Sequence, residues 1–389
     1  MFREERVDVL IAGGGPAGLT LAYLLASKGF NVKLVEEHRE IGEPQHCAGL
    51  VGVKCWSLLP VKSKQLITTV IRSFRFIHPG NGGVKELVLS RSSPIGYVID
   101  RKLYEKKLAE AALDKGAEIE VNTRLSMLKI RKGRYVAVLR GEEGKVLGEA
   151  NFIIYACGAY SKVAGTPARP ASFYHGVQYD LDGVLWERAD EATVYIGLRE
   201  ISFAWLLPLA RSKQSRVGLI AGRRAGRLLR SFTKYLRCRL NRSVKVLNVY
   251  SGLIPAHPLT RLTRLNLVFI GDSAGQVKPI SRGGLFYITV CARALADSIE
   301  KNLEHNLSSL KGYEKLWKTL LLREVIPGFL VRTLYETAGK GISKEILNFV
   351  SRSKILLEVV REEWDLDYQV ASTANFLRYW LFSNALRLK

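Results

Sequence analysis

The sequence has little of the chemistry that builds cross-links or metal cages. Five cysteines are scattered through 389 residues. They form no Cys-x-x-Cys pair and no Cys/His ligand spacing, which excludes a disulfide-stapled scaffold and leaves no expectation of a structural zinc or other metal. Long hydrophobic runs are also missing. The stretch from Val9 to Ser27 is uncharged and nearly long enough to span a bilayer. It contains Gly13-Gly14-Gly15-Pro16, which would break a spanning helix but suits a turn between a strand and a helix. No signal peptide is expected, because Arg3, Glu4, Glu5 and Arg6 run directly into a strand. A cytoplasmic chain is therefore expected, with a peripheral contact at the cytoplasmic membrane face as a further expectation. Acidic residues are scarce, 36 against 59 lysines and arginines, for a net charge of +23. Such a field favours phosphorylated substrates, nucleic acid or an acidic membrane face. The sequence contains no recognisable RNA- or DNA-binding motif, so no nucleic acid is expected.

What is present begins with a βαβ pattern: an apolar strand over 7–12, a helix over 16–28 and a second strand over 31–35. Strand character follows at 70–77 and 84–89, then a helix over 101–115. Strands come next near 118–123, 134–140, 146–147 and 152–156. After residue 165 the chain turns to aromatic-rich strands. A short apolar strand at 267–270 precedes a helix over 284–303, and the last eighty or so residues read as helical. There is no internal repeat. The expected class is α/β: a Rossmann-type dinucleotide-binding domain, an inserted β-rich substrate domain and a helical C-terminal region. The dinucleotide-binding domain would be discontinuous, over 1–60, 95–165 and 262–303. The substrate domain would take 61–94 and 166–261, and the helical region 304–389.

Gly13-x-Gly15-x-x-Gly18 lies between the first strand and the first helix. Gly13 permits the tight turn, Gly15 lets a pyrophosphate approach the backbone, and Gly18 lets helix and strand pack closely. The helix N-terminus offers free N–H groups to the phosphates. Glu36, at the end of the second strand, can accept from ribose hydroxyls. NAD and FAD share this fingerprint, and a second segment decides between them. Phe269-Ile270-Gly271-Asp272-Ser273-Ala274-Gly275 ends an apolar strand in a Gly-Asp pair. Asp272 can accept from a ribityl hydroxyl or, alternatively, cap a helix. Gly283-Gly284 then opens another helix. Together the two segments favour FAD.

These residues, with the Arg101 region, resemble the flavoproteins typified by para-hydroxybenzoate hydroxylase. Two further motifs narrow the resemblance to the geranylgeranyl reductases. Glu43-Pro44-Gln45-His46-Cys47-Ala48-Gly49 is similar to their Pro-x-x-Cys-Gly-Gly motif, with Ala48 in place of the first glycine. Phe203-Ala204-Trp205-Leu206-Leu207-Pro208 is similar to their aromatic-x-Trp-x-Phe-Pro motif, with Leu207 in place of phenylalanine. Cys157 stands where the wider group frequently has aspartate. The resemblance runs from residue 7 to about 300.

The resemblance implies FAD-dependent hydrogenation of isoprenoid double bonds, on geranylgeranyl chains of archaeal-type ether lipids or on a prenyl diphosphate. It places Ala17, Glu36, Cys47, Ala48, Leu50, Arg101, Asp272, Gly284 and Leu285 on FAD, with Leu125 as an adenine contact. An isolated trisubstituted alkene has no carbonyl to absorb charge, so its reduction needs a hydride from flavin N5 and a proton. Aromatic faces tolerate positive charge nearby, which makes Trp205 and Phe203 catalytic candidates. Cys47 is a third, as proton donor, as a stacking group, or in a redox-sensitive pair with Cys55 or Cys291. No second glycine-rich loop for NAD(P)H follows, so the electron donor stays open among ferredoxin, another reduced carrier and transiently bound NAD(P)H. Arg223, Arg227, Arg230, Lys234 and Arg237 recur at helical spacing over 223–240, opposite Leu229, Phe232, Leu236 and Leu240. That stripe is a candidate contact for lipid phosphates. The chain end from Phe376 to Lys389, apolar at helical spacing, is expected to pack on the core, with covering a substrate tunnel or dipping into a membrane interface as the alternatives. The rival readings are a monooxygenase or halogenase of the same fold, and a non-catalytic flavin-containing protein that binds membrane or nucleic acid. Phe203 stands where a halogenase would carry the first tryptophan of Trp-x-Trp-x-Ile-Pro, which argues against that rival.

Overall fold

The computed structural model describes residues 3–79, 84–142, 144–161, 163–305 and 310–337. Further on it describes 345, 347, 348, 350, 351, 357, 358, 361, 362 and 364–370. The expected helix over 376–389 lies outside the described residues.

The first sheet has a parallel core. Its order is Leu267–Phe269, Gly144–Tyr155, Arg3–Ala12, Val32–Val35 and Glu118–Glu120. Val9, Leu10, Ile11, Leu34, Ile153, Ile154 and Val268 are all buried, the near-continuous apolar pattern of strands covered on both faces. Helix Pro16–Ala26 packs against both Arg101–Asp114 and Leu285–His305 beside this sheet. The two short strands expected at 146–147 and 152–156 are one strand, Gly144–Tyr155. Gly148 and Glu149 interrupt its apolar pattern, and its outer edge changes partner along its length. It pairs first with Arg134–Gly141 and then with Leu267–Phe269.

The second sheet has seven strands, in the order Lys245–Pro255, Phe173–Asp182, Gln214–Ala221, Ile201–Leu209, Glu191–Tyr195, Ser73–His78 and Lys85–Ser90. All neighbours are antiparallel except Glu191–Tyr195 and Ser73–His78. Period-two alternation divides its side chains. Ala204 and Leu206 join Val217 and Leu219 in a core beneath helix Ala225–Leu240. Trp205 and Leu207 lie in a second cluster with Phe74, Phe76 and Val194. The basic helix begins later than its charge pattern suggests. Arg224 sits at its N-cap in a left-handed conformation (φ 55°), so Arg223 precedes the helix and is not part of its stripe. Arg227, Arg230, Lys234 and Arg237 are exposed, over a buried face of Leu229, Phe232 and Leu236. A three-stranded sheet, Leu50–Gly52, Gly96–Ile99 and Ile67–Ile71, completes the β structure.

Candidate active site

A continuous cavity of about 1210 Å³ runs from the N-terminal glycine turn to the inner face of the seven-stranded sheet. This exceeds the ~300–1,000 Å³ of ordinary small-molecule pockets.

At the first end lie Gly13, Gly15, Ala17 and Glu36, with Leu125 of strand Arg124–Arg131 beside them. Gly13 has φ +112°, and a Cβ there would meet the Ala156 carbonyl oxygen at 2.3 Å. Gly18 lies beneath the turn, where a Cβ would fall 2.0 Å from the Gly13 carbonyl oxygen. Gly15 differs from both. Its backbone is ordinary (φ −78°) and an added Cβ would meet no protein atom within 4 Å. The protein's own packing does not require glycine there, whereas a group approaching the turn from the cavity does. The Glu36 carboxylate accepts from the Gly14 N–H (2.5 Å), the His38 N–H (3.0 Å) and His38 Nδ1 (2.5 Å). A carboxylate has about four acceptor positions, so one remains, on Oε2, for a hydroxyl donor.

Midway along the cavity stand Asp272, Arg101, Gly284 and Leu285. The Asp272 turn is held from behind. Ser273 Oγ donates to the Tyr155 (2.6 Å) and Ile270 (2.7 Å) carbonyls, and the Gly271 N–H donates to Gln276 Oε1 (2.8 Å). Among the described residues no hydrogen bond reaches the Asp272 carboxylate, so it caps no helix there. Burial pushes it up to about 6, against a weaker opposing pull from Arg101. A half-buried acceptor with no protein donor among the described residues, lining the cavity, fits the ribityl hydroxyls of FAD. Arg101 opens helix Arg101–Asp114 behind the cap Asp100, whose Oδ1 accepts from the Leu103 N–H at 2.9 Å. Burial opposes its charge, but the Glu105 carboxylate at 2.5 Å outweighs that and holds the guanidinium above its usual range. Among the described residues its Nε has no partner.

Cys47, Ala48 and Leu50 line the cavity from the loop entering strand Leu50–Gly52. All five cysteines are free thiols, so Cys47 forms no disulfide with Cys55 or Cys291. Burial raises the Cys55 thiol to about 12, and burial likewise raises Cys291, which makes both weak nucleophiles. Gly49 closes the loop at φ +80°, where a Cβ would lie 2.3 Å from the Ile99 carbonyl oxygen.

The far end is apolar. Phe203 and Trp205 line it with rings 5.8 Å apart, joined by Phe74, Leu207, Ile220 and Trp364. The Trp205 indole N–H is buried and has no partner among the described residues.

Several residues escape the sequence motifs. Gln178 Nε2 donates to the Cys47 carbonyl (3.1 Å) and Arg216 Nη1 to the Ala48 carbonyl (2.8 Å). Asp180 receives both Arg216 Nε (2.6 Å) and Nη2 (2.8 Å), a bidentate buried pair. These three side chains clamp the cysteine loop onto the seven-stranded sheet. Gly218 makes room for Trp205, since a Cβ there would lie 2.2 Å from the indole ring. The available signal was a polar residue or glycine at alternate positions of otherwise apolar strands. Among the described residues, no group of three or more His, Cys, Asp or Glu side chains is placed to hold a metal ion.

A profile described as FAD binding domain matches residues 6–50. Digeranylgeranylglycerophospholipid reductase 2 of Methanothermobacter thermautotrophicus is 29% identical over 391 residues, covering 92% of this chain and 99% of the relative. Digeranylgeranylglycerophospholipid reductase of Methanosarcina acetivorans is 29% identical over 353 residues, 85% of each chain. Over most of its length the chain is thus similar to proteins named as geranylgeranyl-lipid reductases. The fold agrees with that of a geranylgeranyl bacteriochlorophyll reductase-like protein from Thermoplasma acidophilum, at 21% identity, TM-score 0.82 and 96% coverage of both chains. The chain is an FAD-dependent oxidoreductase. Its glycine turn and the Asp272 segment line one cavity.

Proposed function

We propose that the protein hydrogenates isolated double bonds of geranylgeranyl chains, carried on archaeal-type ether lipids or on a prenyl diphosphate. The observation that carries this reading is the continuity of one cavity from the glycine turn to an aromatic, apolar chamber. Bound reduced FAD supplies the hydride, and the adjoining carbon receives a proton.

The chain's own part is to orient the alkene and exclude water. Phe203, Trp205, Phe74 and Trp364 offer ring faces and edges to a hydrocarbon chain, and ring faces tolerate the positive charge that develops on a tertiary carbon. The aromatic and aliphatic side chains at this end suit a prenyl tail. Cys47 lies at the junction between the Asp272 region and the chamber, held there by Gln178 and Arg216 through the backbone. We assign it a position beside the reacting carbons, with its thiol as the candidate proton donor. Electrons enter from an external carrier, whether ferredoxin, another reduced carrier or NAD(P)H. The exposed stripe Arg227, Arg230, Lys234 and Arg237 is proposed as a contact for lipid phosphates.

The test is a single-turnover incubation of reduced holoprotein with geranylgeranylated phospholipid under argon, read by mass spectrometry. The expected product is two hydrogens heavier for each saturated bond. Trp205→Ala is expected to keep its flavin and lose turnover by a factor of about 100, the scale of a misplaced reacting group. Unchanged lipid mass with the wild type, or full turnover in Trp205→Ala, contradicts the reading.

A further inference from the structure

Helices Lys311–Leu320 and Ile326–Thr337, joined through Leu321–Val325, form one continuous helical rod. Its two sides are unlike. The inner side is anchored at both ends. Tyr313 and Trp317 are buried, and Trp317 Nε1 donates to the Leu259 carbonyl at 2.8 Å. At the far end Gly328 abuts Pro279, where a Cβ would lie 2.2 Å from the proline ring. Tyr335 accepts from the Gly197 N–H at 2.8 Å, and Glu336 accepts from Arg282 Nη2 at 2.8 Å and from the Tyr174 hydroxyl at 3.2 Å.

The outer side carries a ridge at steps of three and four, the spacing that stacks side chains along one face. It begins with exposed Lys311, Lys315 and Lys318. It continues with Leu322, Ile326, Leu330 and Leu334, which are 59%, 47%, 63% and 63% exposed. A run of four large apolar side chains this open is costly in water and marks a contact surface. The ridge also leads to the cavity, because Val331 and Leu334 line it and are themselves exposed.

We infer that this ridge, Lys311 to Leu334, seats the protein on an anionic bilayer surface and sets the cavity mouth against the lipid from which the prenyl chain enters. Leucine and isoleucine side chains would sink to the acyl boundary while the lysines meet lipid phosphates. The choice of occupant rests on the lipid reading proposed above and on charge. A second copy of the chain on a two-fold axis would present the same lysines and leucines to this face. The chain's own segment 371–389 carries Arg378, Arg387 and Lys389 and no acidic residue, so it does not complement the lysine end. The basic helix Ala225–Leu240, proposed above as a lipid-phosphate contact, contributes no residue to the cavity, so its contact is a separate one away from the mouth.

Sedimentation of the FAD-loaded full chain tests this, using vesicles of phosphatidylcholine alone and of phosphatidylcholine mixed with phosphatidylglycerol. None of the substituted residues lines the cavity. The combined variant Leu322→Ser, Ile326→Ser, Leu330→Ser is expected to retain its flavin and to lose at least about tenfold in partition onto both vesicle types. Lys311→Ala, Lys315→Ala and Lys318→Ala are each expected to cost about fivefold, on the anionic vesicles alone. Substituting Arg227, Arg230 and Lys234 by alanine is expected to cost less than the apolar triple. A second measurement, fluorescence blue-shift of an environment-sensitive dye attached at Leu330→Cys in a Cys238→Ser background, is expected on vesicle addition. Unchanged vesicle binding by the apolar triple overturns the inference. If that variant instead shifts from dimer to monomer, the face joins two copies; if it only lowers Tm, segment 371–389 covers it. Either result also overturns the inference. Vesicle binding requires no turnover, so a protein that binds through this ridge yet reduces no lipid would contradict only the proposed reaction.

Discussion

Three glycines of one turn have three different reasons to be glycine, and substitution separates them. Gly15→Val introduces a side chain where the protein has no atom within 4 Å. The fold is expected to survive, with Tm near the wild-type apoprotein, while the purified variant comes off the column without its yellow colour. Gly18→Val places the new atoms on the Gly13 carbonyl and is expected to lower stability by about 1–3 kcal/mol or more, the range for overpacking, read by thermal unfolding. Normal flavin content in Gly15→Val would remove the turn from the cofactor site. Asp272 carries a second residue-level expectation. Its folded pKa, about 6, lies above the ordinary 3.8, so the folded apoprotein holds a proton that the unfolded chain releases. That contribution is fully present below pH 3.8 and is lost as pH rises through about 6. The apoprotein Tm should therefore fall over this window relative to Asp272→Asn, and parallel curves for the two proteins would contradict the assignment. Both residues were legible in the sequence, because a glycine fingerprint and a Gly-Asp pair after an apolar strand are local patterns. Gly218 was not: its requirement comes from the Trp205 ring on a neighbouring strand, and strand pairing is not written in either segment alone.

Elements show the same division between local and non-local information. The βαβ start, helix Arg101–Asp114 and helix Leu285–His305 were readable because periodicity and caps lie within each segment. Strand Gly144–Tyr155 was read as two pieces because Gly148 breaks its pattern, yet that glycine accommodates Leu10 across the sheet, where a Cβ would sit 2.9 Å from the leucine Cδ2. The basic helix was placed two residues early, since the left-handed Arg224 cap leaves no sequence mark. The clamp on the cysteine loop belongs to this scale too. Asp180→Ala leaves Arg216 buried without its carboxylate, and removing one partner of a buried pair costs about 3–5 kcal/mol. Chemical denaturation should register that loss, and anaerobic turnover should fall along with it as Cys47 and Ala48 lose their anchor. A variant as stable as the wild type would show that the pair does not support the loop.

At the scale of the whole molecule, a parallel sheet with its glycine turn and a seven-stranded sheet with its aromatic inner face enclose one cavity between them. The sequence motifs marked both ends of that cavity, Gly13 to Gly18 at one and Phe203 with Trp205 at the other. What they could not convey was its continuity, which depends on how the sheets face each other and on the later chain that contributes Arg332, Leu334 and Trp364. The central claim is that electrons held at the first half of this cavity reach a prenyl double bond in the second. Anaerobic stopped-flow absorbance on the reduced holoprotein tests it most directly. Mixing with geranylgeranylated phospholipid under argon is predicted to restore the oxidised flavin band, while the fully saturated lipid leaves it bleached. A band that returns only when oxygen is admitted, whichever lipid is present, would contradict the account.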